Sequence, residues 1–186
     1  MSTTDRIYLT FSLGITQATA SRLLVECSKW ASQGTKEIYL MFAFPGGNVA
    51  AGIAAYNALR ALPVKLITHN IGNVDSIATI IFLAGAERLS VPHATFMFHG
   101  VAFDLSGHVR ADLPWLTDKL DSINADHKKM AAIVNDRAKF ADSDTILDLF
   151  RTQATKQGNW ALEHQLIHKI EPVAIPPGSM VLAFGE

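Results

Sequence analysis

Two hydrophobic patterns alternate along this chain: short, nearly unbroken apolar runs, and longer stretches where apolar residues return every three or four positions. Arg6 to Phe11 is a β-branched and aromatic run closed by a Ser-Leu-Gly turn, which predicts a strand. From Thr16 to Ala31, the residues Ala20, Leu23, Leu24, Cys27 and Ala31 fall at helical spacing, with Thr16 placed to cap the first turn and Gly34 to stop the last. Glu37 to Phe44 is almost continuously apolar, as expected of a parallel strand covered on both faces. Pro45-Gly46-Gly47 breaks that run, and Asn48 is placed to cap a helix reaching Leu62, just before Pro63.

The alternation continues with a strand over Val64 to His69, a polar turn at Asn70 to Asn73, and an uncharged helix over Ser76 to Ala86 expected to be buried almost all round. Leu89 to Val91 and Thr95 to His99 read as strands flanking a Pro92-His93 turn. A long helix is expected over Pro114 to Ala138, shorter ones over Thr145 to Thr152 and Asn159 to Leu166, and a Pro-rich, then extended, tail over Ile170 to Phe184. Strands interleaved with helices predict an α/β fold with a mainly parallel sheet and right-handed crossovers. No repeat, low-complexity tract or linker divides the chain, so residues 1–186 are expected to form one domain.

Charge and composition narrow the possibilities. Of 186 residues, 49% are apolar, enough for a core without metal or disulfides. The formal net charge of −1 and the lack of a basic run argue against nucleic acid, whose phosphates need a concentrated cationic field. Cys27 is the single cysteine, so no intrachain disulfide can form, and its place on an apolar helix face marks a buried structural thiol. The N-terminus lacks a basic flank followed by an apolar run, and Ile77 to Ala86 is about half of what a membrane span requires. A cytoplasmic location is therefore expected, with no metal and no cofactor.

Candidate chemistry lies where strands hand over to helices or loops. Gly46 and Gly47 allow close backbone approach to a ligand and leave N–H groups free at a helix entrance, although a plain tight turn uses the same residues. Ser76 precedes an apolar helix; it can serve as an N-cap, or as a nucleophile whose charge development is favoured by the helix dipole and the Ile77 N–H. His99 ends an apolar strand, where it either bonds to backbone or acts as a base. In a parallel sheet the C-terminal strand ends share one edge, which brings Ser76, His99 and the glycine pair together.

These residues carry a resemblance. The run Ile38-Tyr-Leu-Met-Phe-Ala-Phe-Pro-Gly-Gly-Asn-Val-Ala-Ala-Gly-Ile-Ala-Ala-Tyr56 resembles the strand–Pro-Gly-Gly–helix block of the Clp protease proteolytic subunit family. Asp75-Ser76-Ile77-Ala78 with Leu83-Ala-Gly-Ala86 is similar to its nucleophile helix, with Ile77 and Ala78 where Met and Gly are usual. Val91-Pro-His-Ala-Thr-Phe-Met-Phe-His99 is similar to the strand carrying its general base, and Asn159 to Ile170 resembles its last helix. The likeness covers about residues 6 to 171. It implies a ClpP/crotonase-like spiral of βαβ units with a projecting helical handle, served here by the long helix after Pro114.

By that resemblance the chain is a serine endopeptidase in which Ser76 is the nucleophile, His99 the base, and the N–H groups of Gly47 and Ile77 the oxyanion hole, with Gly46 and Gly47 binding substrate. The family's third catalytic residue, an Asp, aligns without gaps on Gln153; Asp148 and Asp144 are alternatives on what should be a solvated helix face, and Asp75 is expected to serve its turn. The implied partners are a peptide or unfolded protein and further copies of the chain, in heptameric rings, stacked in pairs, with Gly100 to Asp112 and the handle as assembly elements. Trp115, Leu116, Leu120, Ile123, Met130 and Ile133 would form an apolar handle surface, although an ordinary amphipathic core helix has the same pattern. Because the chain begins almost at its first strand, docking to an unfolding ATPase is not expected, and no Walker A motif is present. Two further readings stay open: a catalytically impaired assembly subunit, because of Gln153, and a crotonase-fold acyl-CoA enzyme, which would also use a Gly-Gly oxyanion hole.

Overall fold

Apolar runs with β-branched and aromatic residues build the sheet. In the computed structural model, which describes residues 5–102, 107–108 and 110–184, β1 (Arg6–Phe11), β2 (Glu37–Phe44) and β3 (Lys65–Asp75) lie side by side in parallel. β1 pairs on its other edge with β8 (Met180–Phe184), also in parallel. The helices α1 (Gln17–Ser32) and α2 (Val49–Ala61) make the crossovers between the first three strands. Both start where the sequence places a cap: the Thr16 side chain accepts from the Thr19 N–H at 3.1 Å, and Asn48 Oδ1 accepts from the Ala51 N–H at 2.8 Å. Cys27 is fully buried on α1, and burial pushes its thiol up to about 12, so it remains a neutral packing group.

β3 departs from the sequence reading. The expected turn at Asn70 to Asn73 is a continuation of the strand, which changes partners halfway along. Its first half pairs with β4 (Glu87–Ser90), and its last residues pair with β5 (Thr95–Phe98). The polar residues serve this fork: buried Asn70 donates to the Thr95 carbonyl at 2.8 Å and accepts the Gly72 N–H at 3.0 Å. The helix after the fork, α3 (Ile77–Phe82), is shorter than expected, and all six of its residues are buried.

Two short strands escaped the sequence reading. β6 (Ala154–Gln157) pairs antiparallel with β5, and β7 (Lys169–Ile170) pairs with β4. Their alternating, partly polar residues give no apolar run; only the partner strand stabilises them. Among the described residues the sheet has eight strands, all paired in parallel except β5–β6.

The expected long helix is α4 (Leu113–Arg137), with α5 (Ser143–Thr152) and α6 (Gly158–Glu163) after it. Its buried residues, Met130, Ala131 and Val134, all lie in the C-terminal half. Arg137 and Arg88 anchor that end. Arg137 donates to the carbonyls of Leu83 and Gly85, while Arg88 donates to those of Gly85, Arg137, Gln165 and Leu166. The N-terminal half leaves Leu113, Leu116 and Leu120 exposed. Met130 is thus a core residue rather than part of the handle's apolar surface. Of the stretch Gly100 to Asp112, residues 103–106 and 109 lie outside the described residues. Among the described residues, no helix is long and apolar enough to cross a membrane.

Candidate functional site

The C-terminal edge of β2, β3 and β5 gathers the chemistry-bearing residues. Ser76 follows the last residue of β3 and adopts φ 59°, ψ −130°, outside the regions natural to a non-glycine residue. Its side chain makes no capping hydrogen bond to α3, so the capping role does not account for it. Its N–H instead donates to the Met97 carbonyl at 2.7 Å, continuing the β3–β5 ladder in which Asp75 faces Met97. Asp75 itself accepts a bond from the Asn73 amide at 2.6 Å.

The glycine pair packs against this turn. Ile15 donates its N–H to the Gly46 carbonyl at 2.6 Å and accepts from the Asn48 N–H at 2.7 Å, a parallel bridge centred on Gly47. In such a bridge the flanking groups make the bonds, so the N–H of Gly47 itself points to the opposite side. Gly46 has φ 93°, and a Cβ there would lie 2.7 Å from the Asp75 carbonyl oxygen and 2.8 Å from Ser76 Cβ. The same added atom would lie 3.3 Å from the Ile77 nitrogen. Ile77 opens α3, so its N–H has no partner within the helix. Glycine is required here because the Pro-Gly-Gly loop and the Ser76–Ile77 turn are in contact.

His99 follows β5 directly, two positions beyond the Met97 that holds the Ser76 N–H. Standard sheet dimensions then separate it from Ser76 by roughly one strand spacing, about 4.8 Å, plus one residue rise of about 3.3 Å. The imidazole is half-buried, and its Nδ1 lies 2.9 Å from the Gly100 carbonyl oxygen. A carbonyl only accepts, so Nδ1 carries the proton and Nε2 of the neutral ring keeps its lone pair. That is the tautomer a general base needs.

Gln153 stands at the end of α5 with φ 50°, immediately before β6. The β5–β6 ladder ends on the pair Phe98 and Ala154, so His99 and Gln153 are the residues that flank its end on the two strands. Gln153, on which the ungapped reading set the family's acid, is exposed and carries an amide. Asp144 and Asp148 are exposed on α5, and Asp148 pairs with Arg151 at 3.3 Å.

One residue at this edge had no signal in the sequence. His127, on α4, accepts the Val101 N–H through Nε2 at 2.8 Å, and its ring stacks on Phe150 with centroids 6.0 Å apart and planes 10° from parallel. Burial, reinforced by the charge of Arg151, holds its pKa below the usual histidine value. Only its helical spacing was readable, and that spacing says nothing of the loop beyond β5.

Comparison with known proteins gives concordant matches. A model of the Clp protease family, described as "Clp protease", matches residues 5–170. The ATP-dependent Clp protease proteolytic subunit 2 of Prochlorococcus marinus (strain NATL2A) is 25% identical over 147 residues, covering 76% of this chain and 72% of the relative. The ATP-dependent Clp protease proteolytic subunit 1 of Rhodopirellula baltica (strain DSM 10527 / NCIMB 13988 / SH1) is 31% identical over 121 residues. That match covers 61% of this chain and 52% of the relative.

Proposed function

This chain belongs to the Clp protease family, and from that premise we propose that it hydrolyses peptide bonds with Ser76 as nucleophile and His99 as general base. The observation that carries this reading is the Ser76 turn: a strained, non-capping serine lies against Gly46, on the edge where His99 follows β5 with Nδ1 engaged by the Gly100 carbonyl.

In the reaction, His99 Nε2 takes the Ser76 hydroxyl proton as Oγ attacks the scissile carbonyl. General-base help of this kind contributes about 10²–10⁴-fold. The tetrahedral oxyanion accepts from the N–H groups of Gly47 and Ile77, and loss of one such donor costs about 2.7–4 kcal/mol. His99 then returns the proton to the leaving amine, and the acyl-enzyme forms. A water, deprotonated by the same Nε2, hydrolyses the ester and regenerates Ser76. Gly46 and Gly47 also offer main-chain groups to an extended substrate strand, because the loop is free of side chains there.

The exposed leucines of α4 support assembly with further copies of the chain, in rings of the kind the family forms. The relatives are named ATP-dependent, yet peptides short enough to enter unaided would need no unfolding partner. A second reading, an impaired assembly subunit, is favoured by the amide at position 153.

The deciding test is labelling by a serine-directed fluorophosphonate together with turnover of fluorogenic peptides. Wild type should label and turn over, and Ser76→Ala should do neither while keeping its circular dichroism. A wild type that neither labels nor cleaves supports the assembly-subunit reading; equal labelling of Ser76→Ala removes Ser76 from the chemistry.

A further inference from the structure

The second nitrogen of His99 raises a question that the carboxylate-free third position leaves open. Nδ1 donates to the Gly100 carbonyl at 2.9 Å. That carbonyl belongs to the same planar peptide group as the Val101 N–H, which donates to His127 Nε2 at 2.8 Å. The hydrogen bonds therefore run in one direction: His99 Nδ1–H to the Gly100 oxygen, then Val101 N–H to His127.

We propose that the Gly100–Val101 peptide, clamped between His99 and His127, takes the orienting role of the absent carboxylate, with His127 as the positioning residue. This rests on the Ser76–His99 reading above. An engaged N–H polarises its own peptide group and makes the carbonyl a better acceptor. When His99 becomes an imidazolium during attack, its bond to that carbonyl becomes charge-assisted and strengthens. A single carbonyl offsets less charge than a carboxylate, but it fixes the ring and the tautomer equally well.

The clamp is held from both ends by one aromatic stack. His127 lies on Phe150, which is 1% exposed, and Phe150 meets Phe98 edge-on at 5.9 Å. Phe98 is the residue before His99, so α4 and α5 set the clamp relative to the base through packed rings. The lone pair on His127 Nε2 is essential. A protonated ring would set N–H against N–H and release the peptide. The charged groups acting on His127 are Arg151 of α5, itself paired with Asp148, and Asp126 of α4, itself paired with Lys129. Arg151 opposes protonation and Asp126 favours it; burial is the largest influence and opposes it.

Two variants test this. His127→Phe keeps a ring on Phe150 and removes the acceptor; His127→Gln keeps an acceptor and removes the titration. Peptide turnover against pH, KM, thermal midpoint and the 15N signature of histidine-labelled protein are measured for each. His127→Phe is expected to lower kcat on the order of tenfold to a hundredfold with KM unchanged, below the ~10⁴ lost with an orienting carboxylate. Its His99 should lose the pure Nδ1–H form. His127→Gln should restore most of the rate and the tautomer, and its acid limb should follow one ionisation where wild type follows two. Wild-type kcat with an unchanged His99 tautomer in His127→Phe overturns the proposal, as does a His127→Gln variant as slow as His127→Phe. If wild type does not label at Ser76, the peptidase reading fails, while the nitrogen signature still decides whether the clamp orients His99.

Discussion

The Ser76 N–H donates to the Met97 carbonyl at 2.7 Å, which ties the proposed nucleophile to the strand that the proposed base directly follows. Both residues are therefore positioned by one β3–β5 ladder rather than by independent loops. Ladder hydrogen bonds fix backbone spacing closely, and a site built on strands holds its geometry better than one built on loops.

Gly46→Ala should abolish peptide turnover. Its Cβ would enter the Asp75 carbonyl and Ser76 Cβ at 2.7 and 2.8 Å, at a φ of 93° that disfavours side chains. Backbone strain of this kind costs about 1–3 kcal/mol, so a lowered but cooperative melting transition should accompany the loss. Full activity in Gly46→Ala would separate the glycine loop from the Ser76 turn.

Gln153→Asp puts a carboxylate just past the β5–β6 ladder, at the end where His99 follows β5. Because the Nδ1 proton already has the Gly100 carbonyl as acceptor, the expected gain in kcat is under about tenfold, far short of the ~10⁴ that separates a triad from its amide variant. Turnover of a fluorogenic peptide measures it, and a gain of thousands-fold would mean that the peptide clamp does not orient the ring.

Stability should fall as the solution is acidified from neutrality. Burial depresses the pKa of His69, His127 and His168 below the ordinary 6.5, reinforced by Arg151 at His127 and by Arg88 at His168. Each holds one ring nitrogen as an acceptor: from the Tyr39 hydroxyl, the Val101 N–H and the Arg88 N–H respectively. The unfolded chain binds these protons first, so the stability they carry is complete above pH 6.5 and is lost as pH drops through the folded values. Denaturant melts between pH 7 and 5 should show stability falling with pH, and His69→Gln should make that slope shallower. An unchanged slope in His69→Gln would show that this ring does not stay neutral in the fold.

Leu116→Glu combined with Leu120→Glu should leave the fold intact and shift the protein to smaller assemblies. Leu113, Leu116 and Leu120 are 77, 51 and 58% exposed, a spacing that sets them on one face of α4. Light scattering after size exclusion reads the change. Identical masses for wild type and variant would remove this face from any interface.

The main strands and helices were legible because their signals are local. The run Glu37 to Phe44 is apolar enough to be a covered strand wherever it sits, and Thr16 and Asn48 cap helices through bonds only three residues long. The candidate residues Ser76, His99, Gly46 and Gly47 were legible as strand-end residues in an order matching a known family. Local signals failed where a distant partner decides. Asn70 to Asn73 reads as a turn until β4 and β5 divide β3 between them, and Ala154 to Gln157 becomes a strand only because β5 offers its edge.

Sequence by itself thus determined the type of the main elements, the family and which residues stand as candidate nucleophile and base, since caps, apolar periods and motif order are properties of neighbours along the chain. Tertiary structure alone decided that Ser76 does not cap its helix, that Gln153 and His99 flank the same end of the β5–β6 ladder, and that His127 meets the peptide beyond β5. The last two relationships join residues 26 and more positions apart, and only packing sets such distances.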